Sequence, residues 1–211
     1  LDALGRIVLS QNSKQRAPLT YNTPEPQRFS YSLYDGLGRV VEAGEVTEDN
    51  TDIFDVNGMK AQLGYEVGGV ENPNVIDPNV LSTWVQGRTR KEVTRTYYDE
   101  AVTAFGLPSN YDQRNLRLRV ASTTFQEEED GVPETYDHAT HYSYDIHGNV
   151  DDLLQDHPQM AIDLANDIQD PMRWKRMKYR YDLISGNVLQ VKYQEGDADQ
   201  FYHKYEYDAD N

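Results

Sequence analysis

The chain has 211 residues, no cysteine and a formal net charge of −16. The absence of cysteine excludes disulfides, thiolate metal sites and thiol catalysis, and the negative charge disfavours binding to nucleic acid or to an anionic membrane surface. No apolar run in the sequence is long enough to span a bilayer. The 16 tyrosines favour pleated strands, because a tyrosine can bury its ring while its hydroxyl stays in water.

The dipeptide Tyr-Asp is the strongest repeated signal in the sequence. It occurs seven times, with its tyrosine at positions 34, 98, 111, 136, 144, 181 and 207. Several copies extend into a longer repeat, Tyr-Asp-x-x-Gly-Arg/Asn-Val, for which Tyr34–Val40 and Tyr144–Val150 are the clearest examples. Internal repeats of this kind indicate an array of similar supersecondary units.

Six such repeats are predicted along the chain. They lie near residues 2–7, 34–40, 54–59, 144–150, 181–188 and 207–211. The residues that define their turns are Tyr34, Asp35, Gly38, Arg39, Asp55, Gly58, Tyr144, Asp145, Gly148, Tyr181, Asp182, Gly186, Tyr207, Asp208 and Asn211. The chain opens as if in the middle of a repeat and without a signal peptide, so we expect it to be a piece of a larger polypeptide.

The repeat has a mechanical explanation in the chemistry of β-turns. An aspartate at the first position of a turn accepts a hydrogen bond from the backbone two residues later. The position three residues after the aspartate often needs a positive φ, which glycine and asparagine tolerate. Each repeat is therefore predicted to be a strand that ends in tyrosine, a tight turn, and a strand that begins with Arg/Asn-Val. Tyrosines spaced by two, such as Tyr142 and Tyr144, share one face of a strand and predict aromatic ladders.

Two insertions separate the repeats, near residues 66–92 and 151–176. Within the first, the run from Gly68 to Asn79 predicts a loop, because it is rich in glycine, asparagine and proline. Between the insertions, Asn115–Gln126 predicts a strand and Glu127–Gly131 a charged hairpin tip.

The second insertion contains the predicted helix, over Asp156–Asp170. Pro158 suits a first helical turn, and Asp170-Pro171 would end the helix. Its apolar residues fall on one helical face at i, i+3, i+4 and i+7; they are Ala161, Leu164, Ala165 and Ile168.

The Tyr-Asp-x-x-Gly-Arg/Asn-Val repeats resemble RHS, or YD, repeats, in the form found in large RHS proteins of the Bacteroidetes type. The resemblance runs from Leu1 to Asn211 and is weakest over residues 60–95. It implies an all-β fold, in which an antiparallel ribbon of hairpins and meanders forms part of a spiral shell, with one short helix in an insertion. It also implies a secreted or cell-surface location in bacteria, and many family members enclose a C-terminal toxin.

On this resemblance we expect a structural β-shell segment that encapsulates or presents a C-terminal toxin or effector, and no enzyme or cofactor. The expected partners are the flanking repeats, with an encapsulated toxin domain or the secretion machinery as further ones; nucleic acid and direct membrane insertion are not expected. The family's self-cleaving aspartyl element has no match, because neither Asp77-Pro78 nor Asp170-Pro171 has the surrounding glycine pattern.

Two other functions stay open from the sequence. An extracellular adhesion or carbohydrate- or protein-binding module would use exposed tyrosines, Trp84 and Trp174 to stack on a ligand. A glycan-cleaving enzyme would need a pair of carboxylates, and no pair stands out. No metal site is predicted, since His138 and His141 are spaced to face opposite sides of a strand and Asp49–Asn57 lacks the calcium-loop spacing.

Overall fold

A computed structural model describes residues 1–16, 26–48, 64–67, 70–133, 135–161 and 170–208. For residues 64–67 and 70–74 it describes the backbone. It divides the chain into two compact units. The first comprises Leu1–Arg95 and Gln126–Thr135, and the second comprises Thr96–Phe125 and Tyr136–Asn211. The fold is mostly antiparallel β-sheet, as the sequence predicts.

The elements in chain order are strands β1 (Leu9–Ser10), β2 (Gln27–Tyr34), β3 (Val40–Glu48), β4 (Gly64–Val67) and β5 (Val70–Ile76), helix α1 (Pro78–Gln86), strands β6 (Arg90–Tyr98), β7 (Val120–Glu128), β8 (His138–Tyr144), β9 (Val150–Asp156), β10 (Trp174–Tyr181), β11 (Val188–Tyr193) and β12 (Phe201–Lys204). Short 3₁₀ turns lie at Thr103–Phe105 and Pro158–Met160. Among the described residues, no helix is both long and apolar enough to cross a membrane.

The first compact unit is built around the antiparallel order β1-β2-β3-β6, with β4 and β5 as a separate hairpin. Helix α1 supplies part of its core, which consists of Val8, Leu9, Phe29, Tyr31, Val46, Ile76, Leu81, Trp84 and Val85. The rings of Trp84 and Phe29 meet edge to face, with centroids 6.4 Å apart.

Helix α1 corrects the loop predicted from Gly68 to Asn79. Val70–Ile76 forms β5, and Asp77 caps the helix by accepting hydrogen bonds from the amides of Asn79 and Val80 at 2.7 and 3.3 Å. An aspartate followed by proline is a turn signal but also a good start for a helix. Burial of Leu81, Trp84 and Val85 on one face then holds the helix to the core.

The helix predicted over Asp156–Asp170 is wrong at its start. Asp156 is the last residue of β9 and is completely buried, and Pro158–Met160 forms a 3₁₀ turn followed by extended Ala161. The remaining predicted helical residues, Leu164, Ala165 and Ile168, lie outside the described residues. Within the described part of the chain, the short α-helix is α1, which lies in the other predicted insertion.

The second compact unit contains strands β8 to β12 in sequential antiparallel order, with β7 paired to β8. Its apolar core is split into three small clusters, centred on Phe105, on Trp174 and on Tyr144. The strand predicted over Asn115–Gln126 begins only at Val120, because Asn115 and Leu118 have φ values of +55° and +59°, which a strand cannot contain.

Candidate functional site

One carboxylate organises the turn that follows Tyr34. Asp35 Oδ1 accepts hydrogen bonds from the amides of Leu37 and Arg39, both at 2.9 Å, and Oδ2 accepts one from Arg39 Nε at 2.7 Å. The Gly38 amide donates to the Asp35 carbonyl at 3.0 Å, and Gly38 has a φ of +83°. This is the pattern of a turn closed by a G1 bulge, so the turn predicted at Asp35–Gly38 is present.

The turn predicted at Asp145–Gly148 has the same hydrogen bonds. Asp145 Oδ1 accepts the amides of His147 and Asn149 at 2.8 and 2.9 Å, and the Asn149 side chain donates to Oδ2 at 2.9 Å. Asparagine thus fills the place of the arginine in the Asp35 turn.

Two further aspartates follow the same plan. Asp2 accepts the amides of Leu4 and Arg6, each at 2.9 Å. Asp182, whose turn has one more residue, accepts the amides of Ile184 and Ser185 at 3.0 and 2.7 Å. A backbone hydrogen bond from Ser185 lowers the pKa of the Asp182 carboxyl, and one from Arg39 lowers that of Asp35. The ionised carboxylate is therefore the form that holds these turns.

Two of the predicted turns lie wholly or partly outside the residues that the structure describes. Phe54, Asp55 and Gly58 lie outside the described residues, and so does Asn211, which leaves only Tyr207 and Asp208 of the last repeat.

Tyr98-Asp99 opens a repeat that the sequence does not reveal. The Asp99 amide donates to the Arg119 carbonyl at 3.1 Å, as the Asp35 amide does to Arg39 at 2.9 Å. Asp99 Oδ1 accepts the Leu118 amide at 2.6 Å, and Leu118 occupies the left-handed position that glycine holds elsewhere. The turn of this repeat is thus closed at its base but interrupted, and the one sequence signal for its second half is the resemblance of Leu118-Arg119-Val120 to Gly-Arg-Val.

The other two Tyr-Asp pairs do not open such turns. The Tyr136 hydroxyl donates to buried Asp156 at 2.5 Å, and Tyr111 is a buried residue that packs with Leu154 and Trp174. These tyrosines are core residues, so the dipeptide alone does not identify a repeat.

A hydrogen bond from each of four repeat tyrosines reaches back to the preceding repeat. The acceptor is always the carbonyl of the β-branched residue after the Arg/Asn position. The four links are Tyr34 to Ile7 at 3.0 Å, Tyr144 to Val120 at 2.8 Å, Tyr181 to Val150 at 2.8 Å and Tyr207 to Val188 at 2.9 Å. We call these bonds the hydroxyl links.

The recurring spacing of arginine and glycine in this chain also allows neighbouring repeats to pack together. The Arg6 guanidinium lies 4.2 Å from the centre of the Tyr34 ring, and a Cβ placed on Gly38 would lie 3.1 Å from Arg6 Nη1. Arg119 is related in the same way to Tyr144 and Gly148, with distances of 5.4 Å and 2.7 Å. Glycine is thus needed both for its backbone conformation and for the space that the arginine occupies.

A buried ion pair lies where β9 ends and β10 begins, in the second compact unit. Arg173 donates to both carboxylate oxygens of Asp156, at 2.5 and 2.8 Å, and the Tyr136 hydroxyl donates to the same carboxylate. Burial opposes the charge on Arg173, but the hydrogen bond and charge of Asp156 outweigh it and raise the pKa of the guanidinium. With its oxygens occupied in this way, the carboxylate acts as a structural anchor.

Ser122 and His141 form a hydrogen-bonded pair of the kind that serves nucleophilic catalysis. Ser122 Oγ lies 2.8 Å from His141 Nδ1. Both residues are completely buried, and burial lowers the pKa of His141 to about 3, with a further effect from Arg173. A neutral imidazole that no solvent reaches is a core residue, so the pair gives no active site in this structure.

The tryptophans expected to stack on a ligand are buried. Trp84 and Trp174 are each only 7% exposed, because Trp84 packs in the first core and Trp174 packs against Leu154 and Tyr111. The prediction of exposed tryptophan faces is therefore wrong, whereas Phe201 and Tyr202 on β12 are about half exposed.

A groove of about 340 Å³ lies beside Trp174 in the second compact unit and is lined by Pro108, Arg176, Lys178 and Lys192 among others. Its cations are already paired, since Arg176 bonds Asp152 and both lysines contact Glu195. Among its described lining residues, the groove thus offers no unpaired cation for an anionic ligand.

Comparison with known proteins matches no family model and no curated protein.

Proposed function

We propose that the chain is a structural segment of an RHS-type β-shell, part of a secreted or cell-surface bacterial protein that encapsulates or presents a C-terminal toxin or effector. The observation that supports this most is the series of hydroxyl links. Each linked tyrosine completes its hydrogen bonding on the repeat before it, from Tyr34 on Ile7 to Tyr207 on Val188. Repeats that are bonded to their sequence neighbours in this way are typical of a repeat scaffold.

The buried polar groups support the same conclusion. In the first compact unit, Arg90 and Arg95 each bridge Glu42 and Glu129 at 2.7 to 2.9 Å, and the four side chains form a closed ring. Paired charges of this kind fix one geometry, because removing one partner leaves a buried charge uncompensated. The chain thus uses its buried carboxylates to hold strands in place.

The test uses the full-length protein as its source encodes it. If the repeats enclose a cargo, the segment that follows them resists added protease in the intact protein and is digested when it is expressed without them. Weakening the array with Tyr181→Phe and Tyr144→Phe together should make the cargo more sensitive to protease. Equal digestion of the cargo with and without the repeats contradicts an enclosing shell.

A second candidate, an adhesion or binding module, is favoured by the aromatic side chains of β12. Phe201 stacks on Tyr193 with centroids 4.8 Å apart and remains 47% exposed, and Tyr202 is 48% exposed. Such faces can stack on sugar rings or on a partner protein. Binding on a glycan array that disappears in Tyr202→Ala supports this candidate, and the absence of any binding counts against carbohydrate recognition.

A further inference from the structure

Two histidines that are far apart in sequence meet across neighbouring strands of the second compact unit. Ala139 on β8 pairs with Asp156 on β9, so His138 and His157 occupy the next opposed position of the two chains. Their ring centroids lie 6.2 Å apart, with the ring planes inclined by 30°. His141, which the sequence places near His138, is instead buried against Ser122.

Both imidazoles are available to a ligand from solvent. His138 is exposed and His157 is half-buried. Neither ring takes part in a hydrogen bond or salt bridge with the residues that the structure describes. Since ring nitrogens with no internal partner are free to coordinate, the pair differs from His141, whose Nδ1 is occupied.

The surroundings restrict the ring of His138 and the backbone of His157. His138 is stacked on Phe125, directly opposite it on β7, with centroids 5.0 Å apart and planes inclined by 25°. The His157 amide donates to the Arg173 carbonyl at 2.9 Å, and its carbonyl accepts the Met160 amide at 2.9 Å. Coordinating side chains that are held in place beforehand lose less conformational entropy when a metal ion binds.

The distance between the rings suits a shared metal ion. Metal–nitrogen bonds of about 2.0–2.1 Å bring the centroids of two coordinating imidazoles to roughly 5–6 Å, and the observed separation of 6.2 Å is close to that range. Neutral imidazole binds late first-row divalent cations, and affinity at such sites peaks at Cu²⁺. Among the described residues no group of three His, Asp or Glu side chains is placed to hold a metal, so water would complete the coordination.

We propose that His138 and His157 form a two-histidine site for a late first-row divalent cation, with Cu²⁺ preferred, that joins β8 to the segment after β9. The site is independent of the proposed shell function. A bound ion would connect two neighbouring chain segments and stabilise the folded state over the unfolded one.

The test is titration of the full chain with CuSO₄, followed by electron paramagnetic resonance and by thermal melting. We expect one Cu²⁺ with two nitrogen ligands and a melting temperature that rises with Cu²⁺. His138→Gln and His157→Gln should each weaken binding by at least about tenfold, because even the loss of a residue that only orients a ligand has an effect of that size. His147→Gln, which removes an exposed histidine from the Asp145 turn, is the matched control and should bind like the wild type.

Phe125→Leu separates ligation from folding, because it keeps both histidines and removes only the stacked ring. We expect this variant to bind one Cu²⁺ more weakly than the wild type, with both nitrogens still coordinated. Wild-type affinity in His138→Gln or His157→Gln overturns the proposal, and so does an equal loss of binding in His147→Gln.

Discussion

The Tyr181 hydroxyl donates a hydrogen bond of 2.8 Å to the backbone carbonyl of Val150, at the start of the neighbouring strand β9. Tyr181 ends β10 and Val150 follows the turn of the preceding repeat. The bond therefore joins consecutive repeats by side chain as well as by the ladder of β9 and β10.

Replacing Tyr181 by Phe should lower the free energy of unfolding by about 1 kcal/mol, because one hydrogen bond is lost while the ring remains. Urea denaturation measures the change. Tyr202→Phe is the control, since the Tyr202 hydroxyl donates to the exposed side chain of Gln200, and it should have little effect. Equal effects of the two changes would mean that the hydroxyl link does not stabilise the array.

Replacing Gly148 by Val should cost about 1–3 kcal/mol, because a β-branched residue is forced to a positive φ and its Cβ meets Arg119. Asn should be tolerated better, since it adopts this conformation more readily. Gly186 separates the two causes: its φ is +74°, but nothing lies within 4 Å of an added Cβ. Gly148→Ala should therefore be more destabilising than Gly186→Ala in denaturant melts, and the reverse order would exclude the Arg119 contact as a cause.

Acidification should destabilise the second compact unit through His141. Its pKa is lowered from 6.5 to about 3 in the folded chain, so the unfolded chain binds a proton first as the pH falls. The stability that the neutral ring contributes is full above pH 6.5 and declines towards pH 3, by at most about 1.4 kcal/mol per pH unit. Unfolding free energies measured from pH 7 to pH 4 should show this slope in the wild type and a shallower one in His141→Leu.

The Asp35 turn should lose stability at a lower pH than the His141 site, below the usual aspartate pKa of 3.8. Its pKa is below the usual 3.8, chiefly because of the backbone hydrogen bond from Arg39, so its contribution is complete above that value and is lost as the pH falls through the lowered pKa. At neutral pH, Asp35→Asn keeps an oxygen for the Leu37 and Arg39 amides, whereas Asp35→Ala removes it. We expect a lower melting temperature for the alanine variant than for the asparagine variant; identical melts would show that the amide bonds do not matter.

The turns can be predicted from the sequence because their interactions are local. Strand register and burial cannot, because they depend on residues that are distant in the sequence. Asp35 and Gly38 interact with residues within one turn, so their spacing in the sequence is enough to predict that turn. The partner of His138 depends instead on the register of β8 against β9, and the repeat at Asp99 closes only at Leu118 and Arg119, after a long insertion.

Helix α1 was missed for a related reason. Its start signal, Asp77-Pro78, also indicates a turn, and the two alternatives are separated only by the burial of Leu81 and Trp84 in a core built by distant strands. The burial of Trp174 likewise depends on packing with Tyr111 and Leu154, which no local pattern indicates.

The repeat interrupted between Asp99 and Arg119 shows how such an array can acquire new segments. The hydrogen bonds at its base resemble those of the uninterrupted Asp35 turn, although residues 100–117 are inserted within it. Each doubling of a flexible loop costs only about 0.6 kcal/mol of closure entropy. Foreign peptides grafted between Gly36 and Leu37, or between Ile146 and His147, should therefore be displayed at the ends of the strands while the strands keep their pairing. These turns are thus suitable points for natural diversification and for engineering.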